Sequence, residues 1–375
     1  MSAAARLRVR EMVRKEVRQL IRDPRTRLMI FVAPIIQLIM FGYAVNTDIK
    51  NTATHVMDHD GTAASRELID AFRATGYFAV ERWARRPAEL SQALDRGQAT
   101  LAIEIPRGFA RSLATGGPAR VQVLVDGSES NTATVAQAYA QRIIQRFGLD
   151  RAARAGALPA GGIDLRTRAW YNPNLESRTY NVPAVVGVLV LLMSLLLTAL
   201  SVVRERELGT LDQLMVSPLE PREFIAGKTL PVALVGVIDL VLISLVAVYW
   251  FDIPIRGSRL ALLIAALLYI LAGISVGLLI SSISKTQQEA FMTMFLFVLP
   301  AIILSGFFYP ISSMPEVFQW LTLLNPVRHF LEIIRAIFLK GQGMAGLWSQ
   351  YLALTGIAAV AFWAAVRRLP KTVAS

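Results

Sequence analysis

The chain has 375 residues, 54% of them hydrophobic, with a formal net charge of +12 and no cysteine. Without cysteine there are no disulfides, thiolate metal sites or thiol nucleophiles, and the scattered His55, His59 and His329 do not compose a zinc site. The positive excess does not require nucleic acid: six of its units come from residues 1–27, nine Lys/Arg against three Asp/Glu, which an anionic inner leaflet explains.

Taken in chain order, residues 1–27 place Val9, Met12, Val13, Val17, Leu20 and Ile21 at helical spacing among arginines. That pattern predicts a cytoplasmic amphipathic helix lying in the membrane interface, broken at Asp23-Pro24. Leu28–Val45 is the first of six apolar runs of bilayer-spanning length, followed by Val182–Val203, Leu230–Phe251, Leu260–Ile280, Ala290–Tyr309 and Trp348–Val366. No small-residue cleavage site follows the first run convincingly, so it is read as an uncleaved anchor. The basic N-terminus, the C-terminal Arg367, Arg368 and Lys371, and the short basic loops all fall on the cytoplasmic side of a bacterial inner membrane. Residues 46–181 then lie outside, and with 17 Lys/Arg and 14 Asp/Glu they are long enough to be translocated largely regardless of charge.

Within that external segment, β-branched or aromatic runs (Thr54–Met57, Tyr77–Glu81, Thr100–Ile105, Val121–Val125) alternate with helical stretches. The alternation predicts a compact α/β domain with a mixed or parallel sheet. A longer polar helix near 132–155 leads to a glycine-rich stretch, 156–163, and back to the membrane at Trp170-Tyr171. Asp58-His59-Asp60 reads as a turn, because three consecutive residues cannot all face one ion from a regular strand.

Between the fifth and sixth runs, NPVRHFLEIIRAIFLKG (325–341) carries an Asn325 cap, a first-position Pro326 and a terminating Gly341. It predicts an external amphipathic helix whose Arg328, Glu332 and Arg335 can pair with one another. The expected fold is an α-helical polytopic membrane protein of six transmembrane helices, one plus five, with an inserted periplasmic α/β domain and an N-terminal interfacial helix. Residues 182–375 hold helices two to six.

The cytoplasmic segment 204–228 is too short for a domain and too patterned for a spacer. It reads as a charged continuation of the second span, broken at Ser217-Pro218, followed by a short helix, a compact elbow suited to docking on a soluble partner. It ends in Gly227-Lys228-Thr229, the close of a phosphate-binding loop, but the first glycine of such a loop would stand at Arg222, and two prolines exclude the preceding strand. Intramembrane polarity is sparse: Gln37, Ser194, Thr198, Ser201, Asp239 and Ser275. Gln37, Ser194, Thr198 and Asp239 are the candidates for a translocation path, with a structural polar contact the alternative for Asp239.

The 204–228 segment resembles the signature of type-2 membrane subunits of ABC exporters, on Glu205, Glu207, Gly209, Thr210, Asp212, Leu214, Ser217, Pro218 and Lys228, with Asp212 where glutamate is more usual. DGSESNTA (126–133), LSGFFYP (304–310), SMP (313–315) and NPVRHFLE extend the likeness over nearly the whole chain, and the large first external domain resembles the multidrug-type permeases. The resemblance implies that these residues, with Arg204, couple the chain to a separate cytoplasmic ABC ATPase subunit, which alone binds ATP and Mg. It implies pairing with a second permease copy or close homologue, contact with membrane lipids, a candidate periplasmic adaptor, and export of an amphipathic, drug-like or lipid-like substrate. This chain then binds no cofactor, metal or nucleic acid and is not itself an enzyme. Two other classes remain open on the residues alone: a membrane sensor with an external ligand-binding domain, and an ion-coupled secondary transporter.

Overall fold

The computed structural model describes residues 3–44, 51–128, 130–154, 171–172, 176–209 and 220–373. Thr210, Asp212, Leu214, Ser217 and Pro218 of the expected coupling elbow lie outside the described residues, as do the glycine-rich 156–163 and Trp170. Two compact units divide the chain, residues 47–168 and the remainder.

In the smaller unit, β1 (Thr52–Asp58), α4 (Ala63–Ala74), β2 (Phe78–Trp83), α5 (Pro87–Asp95), β3 (Leu101–Ile105), α6 (Phe109–Ala114), β4 (Gln122–Val125) and α7 (Ser130–Arg154) follow one another. The sheet order is β2-β1-β3-β4; β1 runs parallel to both β2 and β3, and β4 closes the sheet antiparallel to β3. Strand alternation sorts the core. Val56, Leu101, Ile103 and Ile105 face Leu68, Ile69 and Phe72 of α4 and Ala136 and Ala140 of α7, while Met57 and Ala102 face Leu90 of α5 on the other side. Glu67 on α4 receives Arg151 and Arg154 of α7 at 2.5 and 2.7 Å.

The turn after β1 is knit by its own carboxylates. Asp58 accepts from the backbone of Asp60 and Gly61, each at 2.9 Å, and from the Ser65 hydroxyl at 2.6 Å. Asp60 accepts from the backbone N–H of Gly108 (2.8 Å) and Ala110 (3.0 Å) at the start of α6, and from the Thr62 hydroxyl (2.6 Å). Gly61 sits at φ +60°, where glycine carries no Cβ penalty.

In the larger unit, α1 (Ala3–Arg22) and α2 (Pro24–Arg27) lead through a π-helical turn, Leu28–Val32, into α3 (Ala33–Ala44). After the α/β unit come α8 (Ser177–Glu207), α9 (Pro221–Tyr249), α10 (Arg259–Ile283), α11 (Gln287–Ile303), α12 (Glu316–Thr322), α13 (Pro326–Arg335) and α14 (Trp348–Val373). Among the described residues, four helical segments are long and apolar enough to cross a membrane: Ser177–Glu207, Arg222–Tyr249, Arg259–Ile283 and Met344–Arg368. Leu28–Ala44 and Gln287–Ile303 are apolar but shorter. The run expected over 290–309 stops being helical at Ile303, after Pro300 removes a helix donor, and the chain turns at Gly306, φ +79°.

Helix α13 buries the expected apolar face and more beside it. Its Asn325 cap forms, with Val327 N–H donating to Asn325 Oδ1 at 3.0 Å, and Gly341 at φ +69° ends the π-helical turn that follows. Val327, His329, Phe330, Leu331, Ile333 and Ile334 are all buried, and Phe330 stacks on Tyr269 of α10 at 4.1 Å. The expected pairing with Glu332 is replaced. Arg328 donates to the Gln319 carbonyl and the Thr322 hydroxyl, while Arg335 donates to the Gly306 carbonyl at 3.0 Å and lies 3.8 Å over the Tyr180 ring. A backbone carbonyl and a hydroxyl for Arg328, and a carbonyl and a ring face for Arg335, offset part of the cost that the apolar surroundings impose, while Arg328 Nε and Arg335 Nε and Nη2 stay buried without a hydrogen-bond partner among the described residues.

Candidate functional site

The described residues on either side of residues 210–219 are the last turn of α8 and the first two turns of α9, and α1 crosses them. The crossing is close because of one glycine: a Cβ on Gly227 of α9 would stand 2.4 Å from Met12 Cγ of α1, so only glycine fits without displacement. The buried stripe of α1 is Ala5, Val9, Met12 and Glu16, at spacings of four, three and four. Of the apolar set read from the sequence, Val9 and Met12 thus face protein, while Val13, Val17 and Leu20 are half-buried and Ile21 is 55% exposed.

The stripe ends in a carboxylate because a cation waits for it. Lys228, 3% exposed, holds its ammonium 2.8 Å from Glu16 Oε1, 3.0 Å from Glu205 Oε1 of α8 and 3.2 Å from the Ser201 carbonyl. The contact to Glu16 is Coulombic, its angle not making a hydrogen bond. Lys15 reaches the same Glu205 oxygen at 3.0 Å. Two ammonium groups and two carboxylates thereby join three helices. A second tie lies at the other end of α1, where Arg8 grips Glu223 with two hydrogen bonds of 2.6 and 2.8 Å, the bidentate geometry that a guanidinium favours. Glu220 and Glu223 form a reciprocal cap at the start of α9.

The rest of the α8 end is also engaged. Arg206 donates to the Ser284 carbonyl at 2.7 Å, placing a cation at the negative C-terminal end of α10. Glu207 accepts from Gln287 at the start of α11. Gly209 ends the turn at φ +68°. Gly227, Lys228 and Thr229 lie inside helix α9. Their backbone therefore follows the helix instead of wrapping a phosphate, and the ammonium is already spent on carboxylates.

Of the residues proposed for a path, Ser194 and Thr198 are buried on α8, each donating at 2.7 Å to a carbonyl four residues earlier. They form a seam against glycines: added Cβ atoms would meet Ser194 Oγ at 3.2 Å from Gly236, Ser194 Cβ at 3.3 Å from Gly273 and Thr198 Cβ at 2.8 Å from Gly277. Asp239 follows Gly236 by three positions and so lies a turn further along the same side of α9. It is 1% exposed, and its Oδ2 has no hydrogen-bond partner among the described residues. Gln37, on α3, likewise has a buried Oε1 without a partner among them.

Of the residues named from the sequence, Lys228 and Glu205 meet in this joint, and Arg204, Glu207 and Gly209 lie at the end of α8 beside it; Arg8, Lys15, Glu16, Glu223 and Gly227, which complete the contacts, were not named as site residues. The available signal was the acid that punctuates the α1 stripe at Glu16.

The family described as "ABC-2 family transporter protein" matches residues 24–367. The chain is 34% identical over 360 residues to "Probable multidrug ABC transporter permease YbhR" of Escherichia coli (strain K12), covering 95% of this chain and 97% of that one. It is 32% identical to "Probable multidrug ABC transporter permease YbhS" of the same strain, covering 89% of each. "Linearmycin resistance permease protein LnrN" of Bacillus subtilis (strain 168) is 21% identical over 94% of this chain and 97% of its own length.

Proposed function

The chain belongs to the ABC-2 family of transporter proteins, and from that premise we propose that it works as the membrane permease of an exporter driven by ATP hydrolysed on a separate subunit. The observation that carries this reading is the joint of Lys228, Glu16 and Glu205. It braces both helices that flank residues 210–219, so a push delivered to that segment passes into α8, α9 and α1 together instead of dissipating in one helix. Arg204, Glu205, Glu207, Gly209, Thr210, Asp212, Leu214, Ser217, Pro218 and Lys228 form the coupling set, and Arg8, Lys15, Glu16 and Glu223 brace it.

The proposed topology has six spans, the four long apolar segments plus Leu28–Ala44 and Gln287–Ile303, in a bacterial inner membrane with both termini cytoplasmic and residues 46–181 periplasmic. The basic termini support it. The permease pairs with a second copy or close homologue, and a periplasmic adaptor is a further partner. The named relatives, two called multidrug permeases and one a linearmycin resistance permease, support an amphipathic, drug-like or lipid-like cargo. Gln37, Ser194, Thr198 and Asp239 remain the candidates along its path.

The test is charge reversal at the elbow. Glu207→Lys with Asp212→Lys should leave insertion intact while co-purification of the ATPase subunit, permease-stimulated ATP hydrolysis and export all fall in proteoliposomes. Normal docking and full transport by the double variant would remove this segment from the coupling role. Reporter fusions at Gly148, expected periplasmic, and at Leu219 and Ser375, expected cytoplasmic, check the topology separately.

A further inference from the structure

A cavity of about 220 Å3 opens beside the joint, between α1, α2, the Leu28–Val32 turn, α8 and the start of α11. Its wall changes character along α8. Leu196, Leu197 and Leu200 line it first, with Met29 opposite, and then Ser201 and Arg204 follow on the same side of the helix. At 1.5 Å per residue, the step from Leu196 to Arg204 is about 12 Å, so an apolar wall passes into a cationic mouth within that length.

The charge balance of the mouth decides the sign of its occupant. Lys228 donates to Glu205 and the Ser201 carbonyl and pairs ionically with Glu16, and Lys15 sits on Glu205 as well. Two bases and two acids cancel. Arg204, exposed at the mouth, has no carboxylate partner among the described residues, so the uncompensated charge is one guanidinium, a group whose forked donors suit phosphate. The wall opposite α8 includes Met29 in the π-helical turn, an irregularity frequent at functional sites.

We propose that this cavity binds the phosphate end of an anionic phospholipid of the inner leaflet, with Arg204 on the phosphate and the first acyl methylenes along Leu196, Leu197, Leu200 and Met29. The cavity is too small for a whole lipid, so the remaining acyl chain lies in the bilayer. The inner-leaflet placement rests on the topology proposed above. Lipid selectivity in the detergent-purified chain does not, so a wrong topology would appear in the reporter fusions and a wrong site in lipid retention.

The experiment is native mass spectrometry of the full chain after exchange with equal amounts of phosphatidylglycerol and phosphatidylcholine. The wild type is expected to retain phosphatidylglycerol preferentially. Arg204→Gln should lower that retention about tenfold, the worth of a hydrogen bond to a charged group, and lower that of phosphatidylcholine, whose phosphate is offset by its own choline, by less. Arg204→Lys should restore much of it, and Leu197→Trp, which fills the cavity, should lower retention of both lipids. Equal retention of the two lipids by the wild type, or undiminished phosphatidylglycerol on both Arg204→Gln and Leu197→Trp, would overturn the proposal. Displacement of phosphatidylglycerol by millimolar glycerol 3-phosphate would assign the mouth to soluble phosphate esters instead and overturn the lipid assignment.

Discussion

Lys228 and Glu16 meet at 2.8 Å although one belongs to the ninth helix and the other to the first. The ammonium side chain is 2% exposed and the carboxylate 11%, so the pair sits where water screens little. Removing one partner of such a group strands the other charge. Lys228→Met should destabilise the chain by about 3–5 kcal/mol, read as a lowered thermal unfolding midpoint in detergent. Adding Glu16→Gln and Glu205→Gln should recover most of the loss, and no recovery would show that Lys228 acts by packing alone.

The Met12 and Gly227 contact predicts a steric pair. Gly227→Ala places a methyl within 2.4 Å of Met12 Cγ and should cost about 1–3 kcal/mol by overpacking, loosening α1 and speeding proteolysis after Arg14. Met12→Ala in the same chain should restore protection.

Helix α13 should tolerate neither of its central substitutions. Phe330, fully buried on Tyr269, should cost about 3–5 kcal/mol on truncation to Ala. Arg335→Ala should cost more than the 0–1 kcal/mol of an exposed ion pair, since it removes the bond to Gly306 and the stack on Tyr180. Folded yield by fluorescence-detected size exclusion separates the outcomes, and wild-type yield for Arg335→Ala would show those contacts to be energetically idle.

The α/β unit should carry an acid sensitivity at one turn. The Thr62 hydroxyl, followed by the backbone N–H groups of Ala110, Gly108 and Phe109, holds the Asp60 carboxyl below its ordinary range. Because the folded value is the lower one, the stabilisation is complete above the unfolded value of about 3.9 and is lost as pH falls through the folded value. Hydrogen exchange on the full chain should therefore show protection at Gly108 and Ala110 declining as pH falls below about 4, after correction for intrinsic rates. Asp60→Asn should weaken protection at pH 6 and flatten the dependence. PH-independent protection in the natural chain would refute the assignment.

The long apolar helices were legible because a bilayer demands contiguous hydrophobicity, which is a local property of sequence. The end of α11 was not, because Pro300 and Gly306 act through backbone geometry that a hydropathy run does not register. Glu205 and Lys228 were visible as charges beside a span, but their partner Glu16 was not. Its role depends on which side of α1 is buried, and two apolar stripes compete on that helix. Gly227 decides the outcome by admitting Met12, a contact between distant segments that no spacing rule encodes. Arg335 was misjudged for the same reason: helical periodicity offered Glu332 as its partner, while tertiary packing supplied a carbonyl and a ring.

In the α/β unit the chain reverses direction across the sheet between β1 and β3, and crevices at such switch points are where open α/β folds usually hold their ligands. Here Asp60 already occupies the amides of Gly108 and Ala110 beside that crevice. An incoming carboxylate or phosphate would have to evict a residue whose removal also undoes the turn. The unit is thereby built less as a receptor awaiting a small anion than as a body stoppered by its own side chain, and that weighs against a ligand-gated sensor.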